Sequence, residues 1–314
     1  MRPVVIAHRG ASGHLPEHTL QAKALAFAMG ADYLEQDVVA TRDDRLVVLH
    51  DIHLDDVTDI ASRYANRARE DGRFYVRDFD LAEIERLRVH ERRNAEGQQV
   101  FPGRRNYDGD DFRVHTLERE LELVTTLAAG TGREVGIYPE IKSPAWHREE
   151  GVDITMLVLD CLRKFGYSDQ ADYVYLQCFD EYELRRVRLE LGCALKLVQL
   201  IGEDDWDPAP TNFAAMRTEE GLRRLAGTVD GIGPWINQLY SIEDGRVSDT
   251  GLVSRAHAAG LVVHPYTFRN DALPEGFASI DELYAFAIGQ LSIDGFFTDF
   301  PDSAVRFLQR HRKL

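Results

Sequence analysis

The sequence is built from short apolar runs that alternate with longer stretches of helical pattern. The apolar runs lie at 3–7, 33–39, 46–49, 135–141, 173–179, 194–201, 229–235, 261–267 and 295–300. Three helical stretches, at 17–29, 117–129 and 181–191, are each followed by a glycine, the residue that most often terminates a helix. Strands that alternate with helices pair in parallel, because each helix carries the chain back to the other end of the sheet.

One connection is too short for a parallel crossover. Only the polar turn at 41–45 separates the second and third runs, so these two runs must form an antiparallel hairpin. Eight parallel strands remain. We therefore predict an α/β fold, a TIM (β/α)8 barrel, in which the hairpin returns His50 to a position beside Glu35 and Asp37.

Residues 51–112 form a long charged stretch between the hairpin and the next helical pattern. They are rich in Arg, Asp and Gly and show little apolar periodicity outside 81–89. A loop of this length inside a compact domain is usually functional or a subdomain. We predict a single barrel domain over 1–314, with this segment inserted after the second-strand hairpin and capping the barrel mouth. The alternative is a solvated excursion with no role in binding.

Acids follow several apolar runs, at the strand ends where barrel enzymes keep their chemistry. Glu35 and Asp37 are two residues apart on one strand, so both side chains point to the same face. Glu140 ends another strand and supplies a third carboxylate. Carboxylates this close repel one another without a cation, and an all-oxygen set without Cys favours calcium or magnesium over zinc. The alternative is that Glu35 and Asp37 are surface acids or salt-bridge partners.

His8 and His50 each follow an apolar run beside this carboxylate cluster. An imidazole has a pKa near neutrality, so two of them can serve as base and acid in one reaction. We predict that both are catalytic, and the sequence does not say which one is the acid. Five other histidines are interpreted as buried, hydrogen-bonded residues: His14, His18, His53, His115 and His264.

Four segments resemble the glycerophosphodiester phosphodiesterase family: IAHRGASGHLPEHT, GADYLEQDVVATRDDRLVVLHD, YPEIK and GFFTDFP. The stretches LVVLHD, IYPEIK, YLQCFD, LVVHPYT and FTDFPD are most similar to its bacterial periplasmic branch, whose members hydrolyse deacylated phospholipid headgroups. The resemblance covers nearly the whole chain. It implies that Glu35, Asp37 and Glu140 hold one metal ion and that His8 and His50 carry out the catalysis.

Fixed positive charge is expected from Arg9 and Lys142. A phosphodiester needs such charge because negative charge concentrates on its non-bridging oxygens as the bond breaks. Arg9 reaches the pocket only if the first strand has ended and turned by Gly10. Glu17 matches a family position that helps to hold the site by hydrogen bonding. The family usually has Pro-Glu-Asn-Thr there, and His18 replaces the asparagine, which alters the hydrogen bonding of this loop.

Gln177, Tyr266 and Trp235 lie in or just after later strands. They are candidates for the glycerol end of a substrate pocket, Tyr266 by stacking and by contact through its hydroxyl. Packing in the barrel core or at its rim is the alternative. The final motif, residues 297–301, is interpreted first as structural.

The charge balance limits the possible partners. A formal net charge of −16 and a pI near 5.1 argue against binding to nucleic acid or to an anionic membrane surface. An acidic protein that binds an anionic phosphate needs a local cation, and we expect one divalent cation, Ca²⁺ in preference to Mg²⁺. No apolar stretch of about 18 residues occurs, so stable membrane insertion is not expected.

The cysteines and the start of the chain bear on the compartment. Cys161, Cys178 and Cys193 are widely spaced and lack a CxxC pair, so we expect plain thiols in or near the core. Seven residues precede His8, which leaves no room for a secretory signal. The chain as written is expected to be cytoplasmic, or periplasmic or secreted if a signal peptide has been removed.

The expected activity is metal-dependent hydrolysis of glycerophosphodiesters, such as glycerophosphocholine and glycerophosphoethanolamine, to sn-glycerol 3-phosphate and an alcohol. The neighbouring glycerol hydroxyl attacks to give a cyclic phosphate that water opens, or water attacks directly; the sequence leaves both open. One alternative is a phospholipase D-like lipid phosphodiesterase, which needs hydrophobic loops at the barrel mouth. The other is a non-catalytic phosphodiester-binding protein, which needs the loss of at least one of the metal-ligand and catalytic candidates, His8, His50, Glu35, Asp37 and Glu140.

Overall fold

The computed structural model describes residues 2–107, 109–168, 173–206 and 211–311. Eight parallel strands form a barrel in the spatial order β10, β7, β6, β5, β4, β2, β1 and β11. The strands of the protein are β1 (Val4–Ala7), β2 (Tyr33–Ala40), β3 (Leu46–Val48), β4 (Gly136–Ile141), β5 (Tyr175–Cys178), β6 (Lys196–Ile201), β7 (Gly231–Pro234), β8 (Tyr240–Glu243), β9 (Arg246–Asp249), β10 (Val262–Val263) and β11 (Gly295–Thr298). The predicted TIM barrel is confirmed.

Helices connect the barrel strands and cover their outer faces. They are α1 (Leu20–Ala28), α2 (Ile60–Arg63), α3 (Leu81–Ile84), α4 (Leu117–Thr131), α5 (Pro144–Glu149), α6 (Ile154–Lys164), α7 (Glu181–Leu189), α8 (Phe213–Met216), α9 (Glu219–Leu225), α10 (Leu252–Ala258), α11 (Ile280–Tyr284) and α12 (Pro301–Arg310). Short 3₁₀ helices occur at Ala65–Arg67, Val76–Asp78 and Ile236–Gln238, and π-helical turns at Ala285–Gln290 continue α11. No helix within the described ranges is long and apolar enough to span a bilayer.

The barrel closes between β10 and β11 through irregular backbone pairing. The N–H of Asp294 donates to the carbonyl of Val263 at 3.1 Å, and that of Phe297 donates to Pro265 at 3.0 Å. The N–H of Phe268 in turn donates to Phe297 at 2.8 Å. The sequence run 261–267 therefore contributes a strand of only two residues, shorter than predicted, although the backbone that follows this strand still bonds to β11.

The predicted antiparallel hairpin is confirmed. β3 pairs with the end of β2 in the register Val38 to Val48, and the N–H of Leu49 donates to the carbonyl of Asp37 at 2.9 Å. The chain thereby returns to the carboxyl end of β2. This return places His50 next to the acidic residues of that strand.

Several predicted boundaries are wrong. α1 begins at Leu20 instead of Glu17, because the hydroxyl of Thr19 caps it by accepting from the N–H of Ala22. α4 runs past Gly130 to Thr131, and Gly132 ends it in the left-handed conformation with φ 69°. α7 ends at Leu189, two residues early. The hairpin of β8 and β9, joined by a two-residue Asp-Gly turn with positive φ at both positions, was not predicted.

The segment between β3 and α4 has a hydrophobic core of its own. Its apolar side chains come from short helices and irregular chain, which explains why the sequence shows little periodicity there. The core packs directly against Val39 and Val47 of the hairpin. Its buried members within the segment are Leu49, Leu54, Val57, Ile60, Phe74, Val76, Phe79, Ile84, Leu87, Val89, Phe112 and Val114. We call residues 49–116 the inserted segment.

A buried ion pair supports β2 from behind. The ammonium of Lys23 on α1 lies 2.8 Å from Glu120 Oε1 on α4, and both side chains are fully buried. Lys23 also donates to the backbone carbonyl of Glu35, Gln36 donates to Glu120 Oε1 at 2.8 Å, and His115 Nε2 lies 2.7 Å from Glu120 Oε2. The network thus ties two helices to the strand that carries the acidic residues.

We predict that Glu120→Gln lowers the free energy of unfolding by about 3–5 kcal/mol, because the buried ammonium of Lys23 loses its counter-ion. Urea unfolding followed by circular dichroism measures this loss. The double variant Lys23→Met/Glu120→Gln, which removes both charges, is the control and should recover much of the stability. Equal stability of Glu120→Gln and the wild type would contradict the prediction.

The same pair predicts a pH effect. Burial opposes the ionisation of Glu120, but Lys23 and His115 lower its pKa from 4.5 to about 2. A carboxyl with a depressed pKa stabilises the folded protein above its unfolded pKa and loses that contribution as the pH falls. The stability difference between the wild type and Glu120→Gln should therefore shrink as the pH is lowered from 4.5 to 2.

Candidate active site

The chain turns sharply where β1 ends. Arg9 and Gly10 both have positive φ, 58° and 90°, and a Cβ on Gly10 would lie 2.9 Å from the backbone of Ala22. Only glycine fits this close approach. This turn is the one that Arg9 needs in order to reach the pocket. The Arg9 side chain faces the acidic cluster, with Nε 3.7 Å from Asp37 Oδ2.

His8 lies at the end of β1 and is buried. Its Nδ1 is 2.6 Å from Asp299 Oδ1, and its Nε2 is 3.9 Å from Glu35 Oε2. Burial and the charge of Arg9 lower the pKa of His8 to about 3, although Asp299 acts in the opposite direction. His8 is therefore a neutral imidazole at pH 7.

His50 follows the hairpin and is in a similar environment. Its Nδ1 lies 2.7 Å from Asp51 Oδ1. Burial, Arg9 and Lys142 lower the pKa of His50 to about 4. A carboxylate oxygen can only accept, so Nδ1 carries the proton in both histidines and each Nε2 keeps its lone pair for chemistry.

The three predicted metal ligands lie on adjacent strands. Asp37 and Glu140 are paired positions of β2 and β4, and Glu35 lies two residues before Asp37 on the same face. Glu35 Oε2 accepts from the backbone N–H of Arg9 at 2.7 Å. Lys142 Nζ lies 2.9 Å from Glu140 Oε1. The structure therefore brings all three carboxylates together with both predicted cations.

The carboxylates repel one another. Burial and then Asp37 raise the pKa of Glu35 well above its usual value, and burial raises that of Glu140 to about 8 with a further contribution from Asp37. Burial also opposes the ionisation of Asp37, but Lys142 and His18 hold its pKa well below the usual range. Within this cluster, protein cations compensate only part of the negative charge.

The donor set fits a hard divalent cation. Asp37 Oδ1 and Gln177 Oε1 are buried without a hydrogen-bond partner, and the raised pKa values mark carboxylates that a cation would relieve. No three His, Cys, Asp or Glu side chains in the part of the chain that the structure describes are already arranged around one point. Binding therefore requires side-chain movement, and the metal ligands stay a prediction.

Glu17 holds two arginines. Arg9 Nη1 donates to both of its carboxylate oxygens at 3.0 Å, and Arg92 donates to the same oxygens at 2.7 and 3.0 Å. Burial opposes its ionisation, but Arg9 and Arg92 lower the pKa of Glu17. The position thus joins the β1 turn to the inserted segment.

The remaining candidates, Gln177 and Tyr266, differ in their contact with the acidic cluster. Gln177 on β5 donates to Glu35 Oε1 at 3.1 Å and belongs to the acidic cluster. The hydroxyl of Tyr266 instead donates to the carbonyl of Ile201 at 2.9 Å, and its ring packs edge to face on Phe179. Burial and then Glu140 raise the pKa of Tyr266, so this side chain borders the cluster without a direct bond to it.

Four residues of the site have no role in the sequence analysis. Asp299 lies in the final motif, which the sequence analysis interprets as structural, and Asp51 directly follows His50 in a His-Asp pair. The other two, Arg92 and Arg104, come from the inserted segment, where nothing in the pattern distinguishes them from ten other arginines. The His-Asp dipeptide was the only available signal.

His18 occupies the position at which the family that the sequence resembles usually has asparagine, and its side chain contacts the acidic cluster. Its Nε2 lies 2.7 Å from Asp37 Oδ2, and its backbone has φ 52°, a conformation that asparagine adopts readily. We predict that His18→Asn keeps kcat within about threefold, whereas His18→Ala lowers it about tenfold, a difference of about 1.4 kcal/mol in barrier. Steady-state assays of both variants measure this. Equal activity of the two would show that the bond to Asp37 is unimportant.

Comparisons with known proteins identify the family of the chain. Residues 8–303 match the model of the glycerophosphoryl diester phosphodiesterase family. A glycerophosphodiester phosphodiesterase of Haemophilus influenzae is 44% identical, covering 98% of this chain and 90% of its own. A Silicibacter pomeroyi crystal structure, described as a candidate glycerophosphoryl diester phosphodiesterase, superposes with a TM-score of 0.74 at 25% identity over 99% of this chain and 95% of its own.

A third relative was solved with a ligand. It is a phosphodiesterase of Oleispira antarctica in complex with the product sn-glycerol-3-phosphate. Its TM-score is 0.64 at 21% identity, with 98% of this chain and 97% of that chain covered. At this identity the likeness concerns the fold. Together, the family match and the Haemophilus relative confirm the resemblance seen in the sequence.

Proposed function

Because the chain belongs to the glycerophosphoryl diester phosphodiesterase family and is a phosphodiesterase of that kind, we propose that it releases sn-glycerol 3-phosphate from water-soluble glycerophosphodiesters by acid/base catalysis at His8 and His50. The observation that carries the proposal is that the two histidines have the same hydrogen-bonding arrangement. The Nδ1 of each imidazole is hydrogen-bonded to an aspartate, and no described residue forms a hydrogen bond with either Nε2. Both rings border the same acidic cluster.

One histidine accepts a proton and the other donates one. Both imidazoles are neutral in the free protein because burial and the neighbouring cations lower their pKa values. A bound phosphodiester brings negative charge beside Arg9 and Lys142, and this charge favours protonation of a nearby imidazole. Binding of the substrate thus prepares one of the pair to protonate the departing alcohol while the other remains a base.

Arg9 and Lys142 stabilise the phosphoryl oxygens. Both are buried cations held by carboxylates, Arg9 by Glu17 and Lys142 by Glu140. Cations fixed before the substrate arrives need little reorganisation as charge develops in the transition state. Gln177 on β5 and Tyr266, three residues beyond the end of β10, are proposed to border the glycerol half of the substrate.

Glu35, Asp37 and Glu140 are proposed to hold one divalent cation, Ca²⁺ in preference to Mg²⁺. When bound, such an ion supplies Lewis-acid polarisation and a template for glycerol and phosphate oxygens. The support comes from the unpartnered Asp37 Oδ1 and the raised pKa values of Glu35 and Glu140.

Replacement of either histidine tests the catalytic pair. We predict that His8→Ala and His50→Ala each lower kcat for glycerophosphocholine by at least about 100-fold, the usual scale for a positioned acid or base. His257→Ala is the matched control, because His257 also bonds an aspartate, Asp294 at 2.8 Å, but lies on α10. Normal turnover by either catalytic variant would remove that histidine from the mechanism.

Removal of the metal tests whether the proposed divalent cation is required for activity. We predict that chelation abolishes the release of glycerol 3-phosphate, that calcium restores it, and that the ion raises the melting temperature because it binds only the folded protein. Glu140→Gln should weaken calcium binding in a calorimetric titration. Metal-free protein with full activity, verified by elemental analysis, would overturn this assignment.

A further inference from the structure

Each catalytic histidine is the end of a chain of three charged or polar groups. His8 contacts Asp299, which contacts Arg104; His50 contacts Asp51, which contacts Arg92. Both aspartates use one oxygen for the imidazole and the other for the guanidinium, and Asp299 Oδ2 also accepts from Arg269 Nε at 2.8 Å. Both arginines come from the inserted segment, twelve positions apart, whereas Asp51 lies at the start of that segment and Asp299 directly follows β11.

Arg104 joins several segments around His8. Its Nη2 lies 2.6 Å from Asp299 Oδ2 and 3.2 Å from Asp271 Oδ1, and its Nε lies 2.7 Å from Asp271 Oδ2. Its Nη1 donates to the carbonyl of Ser12 at 3.1 Å, and the guanidinium stacks over the ring of Phe101. The side chain is only 5% exposed. A side chain with this many partners has one accessible orientation.

Arg92 has the corresponding position at His50. Its Nη1 lies 2.7 Å from Asp51 Oδ2, while its other nitrogens bind Glu17. Asp51 Oδ1 is the partner of His50. Arg92 therefore touches both the aspartate behind one histidine and the carboxylate that holds Arg9.

We propose that the inserted segment supplies two positioning residues, Arg92 and Arg104, which hold Asp51 and Asp299 against the Nδ1 atoms of the two catalytic histidines. The inference rests on the proposed two-histidine function. It assigns to the segment a role distinct from covering the barrel mouth.

The physical reason is the freedom of a carboxylate. An aspartate bonded only to an imidazole can rotate about its side-chain torsions and carry the ring with it. A guanidinium on the second oxygen fixes both torsions, and errors near 1 Å in a reacting group can cost about 100-fold in rate. Burial opposes the ionisation of both aspartates, but Arg269 and His8, with a smaller contribution from Arg104, hold the pKa of Asp299 well below normal, and His50 and Arg92 do the same for Asp51.

The test compares arginines of the inserted segment. In the full chain with saturating calcium, Arg104→Met and Arg92→Met should each lower kcat for glycerophosphocholine about tenfold or more, with KM for Arg104→Met changed less than about threefold. The matched control is Arg69→Met. Arg69 lies in the same segment and bonds Asp78 and Glu150 without touching a histidine or its aspartate. It should keep kcat within about twofold.

A double-variant cycle separates positioning from general stability. Arg104 acts through Asp299, so Asp299→Asn/Arg104→Met should lose at most about twofold more kcat than Asp299→Asn alone. Multiplied losses in this cycle, or equal losses in Arg104→Met and Arg69→Met, would overturn the proposal.

Two further outcomes keep the test decisive. If Arg104→Met does not fold, Arg104→Lys keeps the charge but cannot bridge Asp299, Asp271 and Ser12, and it should still lose kcat; normal turnover would overturn the proposal. If His8→Ala and His50→Ala are active, the proposed function fails. If those two are inactive while Arg92→Met and Arg104→Met turn over normally, only the positioning role fails.

Discussion

The active site depends on the mutual neutralisation of charges that are buried together at the carboxyl ends of β1, β2 and β4. Burial acts against every ionised group there, and each ion survives because an opposite charge lies within contact distance. Arg9 and Lys142 compensate Asp37, and Arg9 and Arg92 compensate Glu17. Glu35 and Glu140 remain undercompensated, and this deficit is the electrostatic basis for proposing a cation at the cluster.

The barrel keeps this charged cluster rigid from two sides. Behind β2, Lys23 and Glu120 link α1 and α4 to the strand that carries Glu35 and Asp37. On the other side, Arg92 and Arg104 of the inserted segment contact carboxylates of the active site. The segment can do so because its own hydrophobic core packs on the β2–β3 hairpin. Fold and site are thus connected through the same strand.

The sequence predicted those parts of the site that follow from local spacing. The two-residue period of a strand places Glu35 and Asp37 on one face, and the short turn at 41–45 requires a hairpin that returns His50. The sequence did not predict Asp299 as the partner of His8, because 291 residues separate them and only the pairing of the first barrel strand, β1, with the last, β11, brings them together. Arg92 and Arg104 were missed because the inserted segment folds without a regular pattern. Helix ends were misplaced where capping by Thr19 and Gly132 decided the boundary.

The most direct measurement of the central claim identifies which ester bond is broken. Phosphorus NMR of glycerophosphocholine, incubated with the calcium-loaded protein, distinguishes glycerol 3-phosphate from phosphocholine. We expect glycerol 3-phosphate as the only phosphorylated end product, with one choline released per turnover. Formation of phosphocholine and glycerol, or the absence of cleavage, would contradict the account.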